Sequence, residues 1–320
     1  MTADRPPTEP LRPVMPLADR FVEVDFDGLS VGVAEYEEGP TGCTVIALDR
    51  FAAVALDVRG GAPVVHNGHS PVAEAFCFAG GSMLGLDASS GVAKALYARH
   101  GSDPGRLPLV AGGVIYDYAP AGRTGVYPDA QLGAVALDAA VPGRIPVGSI
   151  GAARSATCGK MGRQGWAEPG GQGAACASVG NVTILVFVVV NALGVVVDRM
   201  GTVVRGNRDP ATGQRSHIAL EDMAHGDRRR RERFSRRPPE ATTLTLVVTD
   251  ARFASRDQRQ LAKQIHASLA RSIHPFHCPG DGDALWLAST GTVAEPSLVP
   301  TAIGAAAAEL AWDAVLTAVQ

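Results

Sequence analysis

Thr242 stands out because of where the sequence places it. A basic segment with seven arginines between Arg228 and Arg237, followed by Pro238-Pro239-Glu240-Ala241, stops at Thr242-Thr243-Leu244-Thr245-Leu246-Val247-Val248-Thr249. The first stretch does not belong in a packed core. The second is a β-strand pattern of branched and apolar residues. A threonine opening a core strand, directly behind an exposed and cuttable loop, is placed to become a new N-terminus. Such a residue carries a hydroxyl nucleophile and an amine base together. The chemistry this predicts is self-processing followed by amide hydrolysis.

Other residues fit that chemistry. Asn191 ends a run of seven strongly apolar residues, Ile184 to Val190, where an amide is costly unless it has partners to serve. Lys160 is a cation set in a loop rich in glycine and alanine, and Asp281-Gly282-Asp283 is a compact acidic turn entering the last core strand. Nucleophile, amide donor, cation and paired acids form an amidase set. On composition alone an ordinary strand threonine at 242 stays open.

Competing chemistries lack the residues they need. Around Lys160, Met161 replaces the Ser/Thr of a phosphate-binding loop and Arg154 stands where its first glycine belongs, so no nucleotide cofactor is expected. Ser82 lacks the closing glycine of a nucleophile elbow. His274, His277 and Cys278 with the two aspartates offer metal-ligand types, but Pro275 breaks the helix that would align two imidazoles, and no metal is expected. The arginine run has one interleaved aromatic, Phe234, and reads as a solvated linker rather than a nucleic-acid arm. A net charge of −3 argues against general binding to nucleic acid or anionic membrane. Five scattered cysteines and no recognisable signal peptide predict a cytoplasmic protein without disulfides.

The elements that must position these groups can be read in outline. Residues 1–20, with five prolines, are expected to be a flexible arm ahead of a single domain over 21–320. Strands are expected at 21–26, 44–48, 53–58, 183–190, 194–197, 242–249 and 285–289, with 202–204 extending the second of the 183–197 pair, and 109–116 is apolar but glycine-broken. Helices are expected at 86–100, at 257–272 with Ser255 as N-cap, and at 301–319. Residues 143–180 read as loop, and 207–241 as surface excursion and linker. The apolar stretch 182–197 is too short and too β-branched for a membrane span. Strand runs with helices at intervals imply packed sheets flanked by helices.

Several segments resemble the self-cleaving N-terminal-nucleophile peptidases of the L-aminopeptidase/D-esterase family. They include Val58-Arg59-Gly60-Gly61-Ala62, Gly80-Gly81-Ser82 with Gly85-Leu86-Asp87, Val114-Ile115-Tyr116-Asp117, Val190-Asn191-Ala192-Leu193-Gly194 and Asp281-Gly282-Asp283. Within the family the likeness runs to the branch that cleaves aminohexanoate oligomers. The resemblance implies an α+β fold, a four-layer αββα sandwich of two stacked sheets between helices. It implies a cut before Thr242 into chains 1–241 and 242–320. Thr242 would be the nucleophile, Asn191 the oxyanion donor, Tyr116 an aid at the tetrahedral intermediate, Lys160 the catalytic lysine, and Asp281 and Asp283 the acids that orient the threonine. It also implies a small oligoamide or peptide substrate, and a homo-oligomer, tetramer or larger, of processed heterodimers. Ala241 stands where the family usually has asparagine or glycine; attack on the peptide needs it strained or rotated, which glycine permits more readily than alanine.

Overall fold

The protein is described here as a computed structural model covering residues 10–66, 70–118, 125–163, 165–220 and 241–320. Nine strands join one hydrogen-bonded sheet: β1 Leu29–Tyr36, β2 Thr41–Val58, β3 Val65–His66, β4 Val72–Ala79, β5 Val110–Val114, β6 Gly171–Val179, β7 Val182–Asn191, β8 Thr242–Ala251 and β9 Ala284–Val293. Their order is β6-β7-β8-β9-β2-β4-β5-β3, with β1 added on β2. The β8–β9 and β4–β5 pairs are parallel and the rest antiparallel.

The long strand β2 serves two layers. Its first half pairs with β1 over Thr41 to Leu48, its second half with β9 over Ala53 to Val58, and its ladder to β4 shifts register between Ala47 and Ala52. The ribbon therefore folds over at β2, and its halves face each other. Ile46, Phe76 and Phe78 from one half meet Phe187, Leu244, Leu246 and Trp286 from the other. Phe78 stacks on Phe187 at 5.7 Å between ring centroids and meets Trp286 edge-on at 5.4 Å. Burying each such ring stabilises the fold by about 1.5–3 kcal/mol.

Helices cover both outer faces. Helices α1 (Asp87–Arg99) and α2 (Ala130–Asp138) bury Val92 and Leu132 with Ala75 and Cys77 of β4. On the other side α3 (Ser255–Ser268) and α4 (Pro300–Val319) bury Leu261, Ile265, Ala311 and Val315 with Val186 and Val188 of β7. Strand β7 shows why both faces are apolar. Leu185, Phe187 and Val189 point between the sheets, and the alternate residues Ile184, Val186, Val188 and Val190 point to the helices. The result is the αββα sandwich that the resemblance implied.

Several expectations shift. The strands expected over 182–197 are present as β7 and the short strand Val195–Val197; Val203–Arg205 does not extend the second but pairs antiparallel with it, and Ile273–His274 pairs on its other edge. Helix α4 is long and apolar enough to cross a membrane by length and composition, yet Ile303, Ala307, Ala311, Ala314 and Ala318 are buried in the helix-on-sheet core. Helix α3 starts at Ser255, not 257; Ala254 takes the N-cap position and no side chain caps the end. Of the expected arm, residues 1–9 lie outside the described residues. Residues 10–20 are tied down, with Val14 bridging Glu35 and Arg20 donating to the Gln320 carbonyl. The arginine run and 221–240 also lie outside the described residues.

Candidate active site

The site forms where β7 ends and β8 begins. Asn191 is the register partner of Thr242. Both share the parity of Phe187 and Leu244, so both face the gap between the sheets. Thr243 turns to the helix side, and its hydroxyl is buried without a hydrogen-bond partner among the described residues. The second threonine is therefore out of reach of the peptide bond before Thr242.

Ala241 is fully buried and bridges in parallel to Asp281. Its carbonyl oxygen accepts from the Gly282 N–H at 3.0 Å and from the Thr242 hydroxyl at 2.6 Å. The N–H polarises this carbonyl in the way a donor does in an oxyanion hole.

Gly282 is required by contact. A Cβ there would lie 2.6 Å from Thr242 Oγ, closer than side chains pack. Gly282→Ala is expected to fold but to place the hydroxyl wrongly, slowing any cut at 241–242 by at least about 10-fold. A gel time course of newly made protein measures this, and a wild-type rate would show that the hydroxyl position does not limit the cut.

Asp281 and Asp283 do different work. Asp283 Oδ1 accepts from the Thr243 N–H at 2.7 Å, and Oδ2 accepts from the His277 N–H at 3.1 Å. Asp281 Oδ2 accepts from the Cys278 N–H at 2.8 Å, while Oδ1 is buried without a partner among the described residues. Burial first, and then the charge of Asp283, push the Asp281 carboxyl up to about 7; hydrogen bonds from Cys278 and the Lys160 ammonium pull the other way. A carboxyl balanced near neutrality beside a scissile peptide is suited to passing a proton in either direction.

Lys160 fixes Asn191. Its Nζ donates to the Asn191 carbonyl at 2.9 Å and to Oδ1 at 2.6 Å, and the Thr157 N–H adds a second bond to Oδ1 at 3.0 Å. With Oδ1 held, Nδ2 is the outward donor, and it reaches the Tyr116 carbonyl at 3.1 Å. The Tyr116 ring packs edge-on against Tyr118. Thr242, Asn191, Lys160, Tyr116, Asp281 and Asp283 are thus brought to one locus by hydrogen bonds, strand register and charge. Thr242 is only 5% exposed, so its side chain is covered in the continuous chain. Two surface concavities, one at Glu23, Asp25 and Cys176 and one along α3 at Arg256 to Lys263, include none of these residues.

Some residues around the site were not among the sequence candidates. Asp117 is buried and accepts from Thr41 Oγ at 2.6 Å and the Gly81 N–H at 2.8 Å, tying the loop after β4 to the Tyr116 segment. Its sequence signals are a carboxylate closing an apolar run and its place in the Val114-Ile115-Tyr116-Asp117 segment. His277 entered as a metal candidate. Its Nδ1 instead lies 3.1 Å from Asp283 Oδ2, whereas His274 is exposed on its short strand. Among the described residues no group of three or more His, Cys, Asp or Glu side chains converges to hold a metal.

A threonine at the head of a central strand, facing the gap of an αββα sandwich behind a polarised peptide bond, defines the class of N-terminal-nucleophile hydrolases. A solved structure from Ochrobactrum anthropi, an L-aminopeptidase D-Ala-esterase/amidase with a variant of that fold, matches with a TM-score of 0.65 at 15% identity. It covers 95% of this chain and 88% of its own. The chain belongs to peptidase family S58, whose model matches residues 24–320. It is 42% identical to the 6-aminohexanoate-oligomer endohydrolase of Paenarthrobacter ureafaciens, over 96% of this chain and 88% of that one. It is 44% identical to a putative NylC-analogous protein of Agromyces sp. (strain KY5R), over 93% of this chain and 99% of that one.

Proposed function

We propose that this protein cuts itself between Ala241 and Thr242 and then hydrolyses amide bonds in small linear oligoamides of the 6-aminohexanoate type. The observation that carries this reading is the Thr242 hydroxyl lying 2.6 Å from the oxygen of a carbonyl already held by Gly282. In the cut, Oγ attacks the Ala241 carbonyl carbon as its proton leaves. The C–N bond breaks, the Thr242 nitrogen takes up a proton, and water hydrolyses the resulting ester. Asp281 is the acid/base for these transfers, and the Gly282 N–H steadies the oxyanion.

After the cut, the Thr242 α-amine serves as base for its own hydroxyl. An α-amine has an ordinary pKa of about 7.7–8.0, so an appreciable fraction is neutral near pH 7. Asp283 orients the start of β8. Asn191, held by Lys160, donates to the oxyanion of the substrate amide, with Tyr116 beside it. Identity of 42% with an enzyme named for this oligomer supports the substrate class.

Mass spectrometry of the purified protein tests the cut: two chains meeting at Ala241/Thr242 are expected, and an intact chain would overturn it. Parallel assays on an aminohexanoate oligomer and on short peptide amides test the substrate. Faster hydrolysis of the peptides would favour an aminopeptidase or D-esterase reading, which the fold shared with the Ochrobactrum anthropi enzyme supports. An intact, inactive chain would mark a non-catalytic homologue. The processed protein is proposed to assemble in the cytoplasm as a tetramer or larger, which light scattering measures.

A further inference from the structure

Behind Asp283 lies a row of polar groups that the proposed reaction does not use. Asp57, near the end of β2, accepts from Arg59 Nε at 2.6 Å, and its Oδ2 lies 2.9 Å from His266 Nδ1 on α3. The His266 ring is fully buried and meets the His277 ring edge-on, 4.4 Å between centroids. His277 Nδ1 and its backbone N–H both lie 3.1 Å from Asp283 Oδ2. The other oxygen of Asp283 holds the N–H of Thr243, the residue next to the nucleophile.

Three physical features separate this row from ordinary packing. His277 has φ of 58°, a left-handed conformation that costs a non-glycine residue on the order of 1–2 kcal/mol. That conformation accompanies a double contact of N–H and Nδ1 with one carboxylate oxygen. Next, Nε2 of both histidines is buried without a partner among the described residues. Leaving such a nitrogen unpaired costs about 1–3 kcal/mol, and a phenylalanine or leucine would avoid it. Finally, the carboxylate contacts fix both tautomers, with a proton on each Nδ1. Burial pushes the His266 pKa down, and the hydrogen bond its Nδ1 donates to Asp57 only partly offsets this. Asp57 is held at about 2, because bonds from His266 and Arg59 outweigh its burial. A neutral His266 is thus anchored on an ionised Asp57.

We infer that His277, braced by His266 and Asp57, is a positioning residue that sets Asp283 and through it the start of the nucleophile strand. The inference rests on the self-processing reading. His277 touches neither Thr242 nor the scissile carbonyl in the contacts described, so its influence passes through Asp283.

The test uses the full chain made by cell-free synthesis, following conversion of the precursor to two fragments and then kcat and KM of the mature protein. His277→Ala is expected to slow the cut by about 10–100-fold and to lower kcat with KM unchanged. His277→Asn keeps an N–H donor and tolerates the left-handed backbone, so it is expected to recover the rate to within about 3-fold of wild type. His266→Phe is expected to slow the cut in the wild-type background but to add nothing to His277→Ala, as it must if it acts through His277. Should His277→Ala fail to fold, as read by a melting curve, His277→Leu fills the space without a donor and replaces it. Wild-type rates in the donor-less variant, or an asparagine variant as slow as that one, would overturn the inference. A wild-type chain that never cuts would instead remove the reading beneath it.

Discussion

Thr242→Ala is expected to leave a single 33.1 kDa chain with amidase activity reduced by at least about 10⁴-fold. The size of the effect follows from the double use of one residue. Its hydroxyl is the group in contact with the Ala241 carbonyl oxygen, and its nitrogen becomes the base only if the cut occurs. Removing the hydroxyl thus stops both steps, while the change buries little less surface and should leave the fold intact. Thr242→Ser keeps the hydroxyl and should still process. A fragmented Thr242→Ala chain, seen by intact-mass measurement, would mean that another nucleophile or a separate protease makes the cut.

The second large effect is expected at Asp281, where pH reveals the cause. In the unfolded chain this carboxyl has its ordinary value near 3.8; in the folded chain burial and Asp283 hold it near 7. The folded state therefore keeps a proton that the unfolded state has lost. The stabilisation is complete below about 3.8 and disappears as pH rises through about 7. Asparagine cannot ionise. Compared in the uncut Thr242→Ala background, the Asp281→Asn chain should match its parent near pH 4. It should become the more stable of the two towards pH 7, by on the order of a few kcal/mol, with the gap level above that. Denaturant titrations across pH 4 to 9 read this directly, and a gap independent of pH would contradict a raised Asp281. With Thr242 present, Asp281→Asn should also slow processing by about 10²–10⁴-fold, the usual contribution of a placed acid/base.

How far the sequence carries depends on what each element is made of. Strand β7 is legible because it is buried on both faces and hence nearly continuously apolar, and β8 because it is rich in β-branched and apolar residues. Their neighbours were hidden. Strand β6 reads as loop since it is built of glycine, alanine and serine. The structure gives the reason: a Cβ on Gly173 would lie 2.0 Å from the Ala314 carbonyl of α4, so close helix packing removes the residues that announce a strand. Strand β1 was missed too; it carries one such close contact, Gly32 against the Ala136 carbonyl of α2, among Leu29, Val31, Val33 and Tyr36. Strand β2 reads as two strands because Asp49-Arg50 interrupts it, at the place where its ladder shifts register. Helix α2 was also missed; its N-terminus rests on Asp129, whose carboxylate accepts from the Leu132 N–H and the Tyr36 hydroxyl.

The site was legible in its residue types and not in its wiring. Thr242 shows as an abrupt change of composition, and Asn191 as an amide closing an apolar run. Nothing in the spacing says that Lys160 spends its hydrogen bonds on Asn191, or that a backbone N–H at Gly282 holds the carbonyl. Those contacts join positions 31 and 41 residues apart through strand register and turns, and no local periodicity encodes them.

The place of the proposed cut within the sheet has a further consequence. Strands β8 and β9 lie side by side, flanked by β7 on one edge and β2 on the other, and both flanking strands precede the cut. Once cut, the smaller chain is a two-stranded insert held by full ladders on both edges. Heat or denaturant that releases it leaves two separate molecules, whose reunion is a bimolecular encounter. The apparent melting temperature of the mature protein should then rise with concentration, and its working lifetime should be set by the barrier to unfolding. If the chain is cut as proposed, the released fragments have no unimolecular route back to the native state.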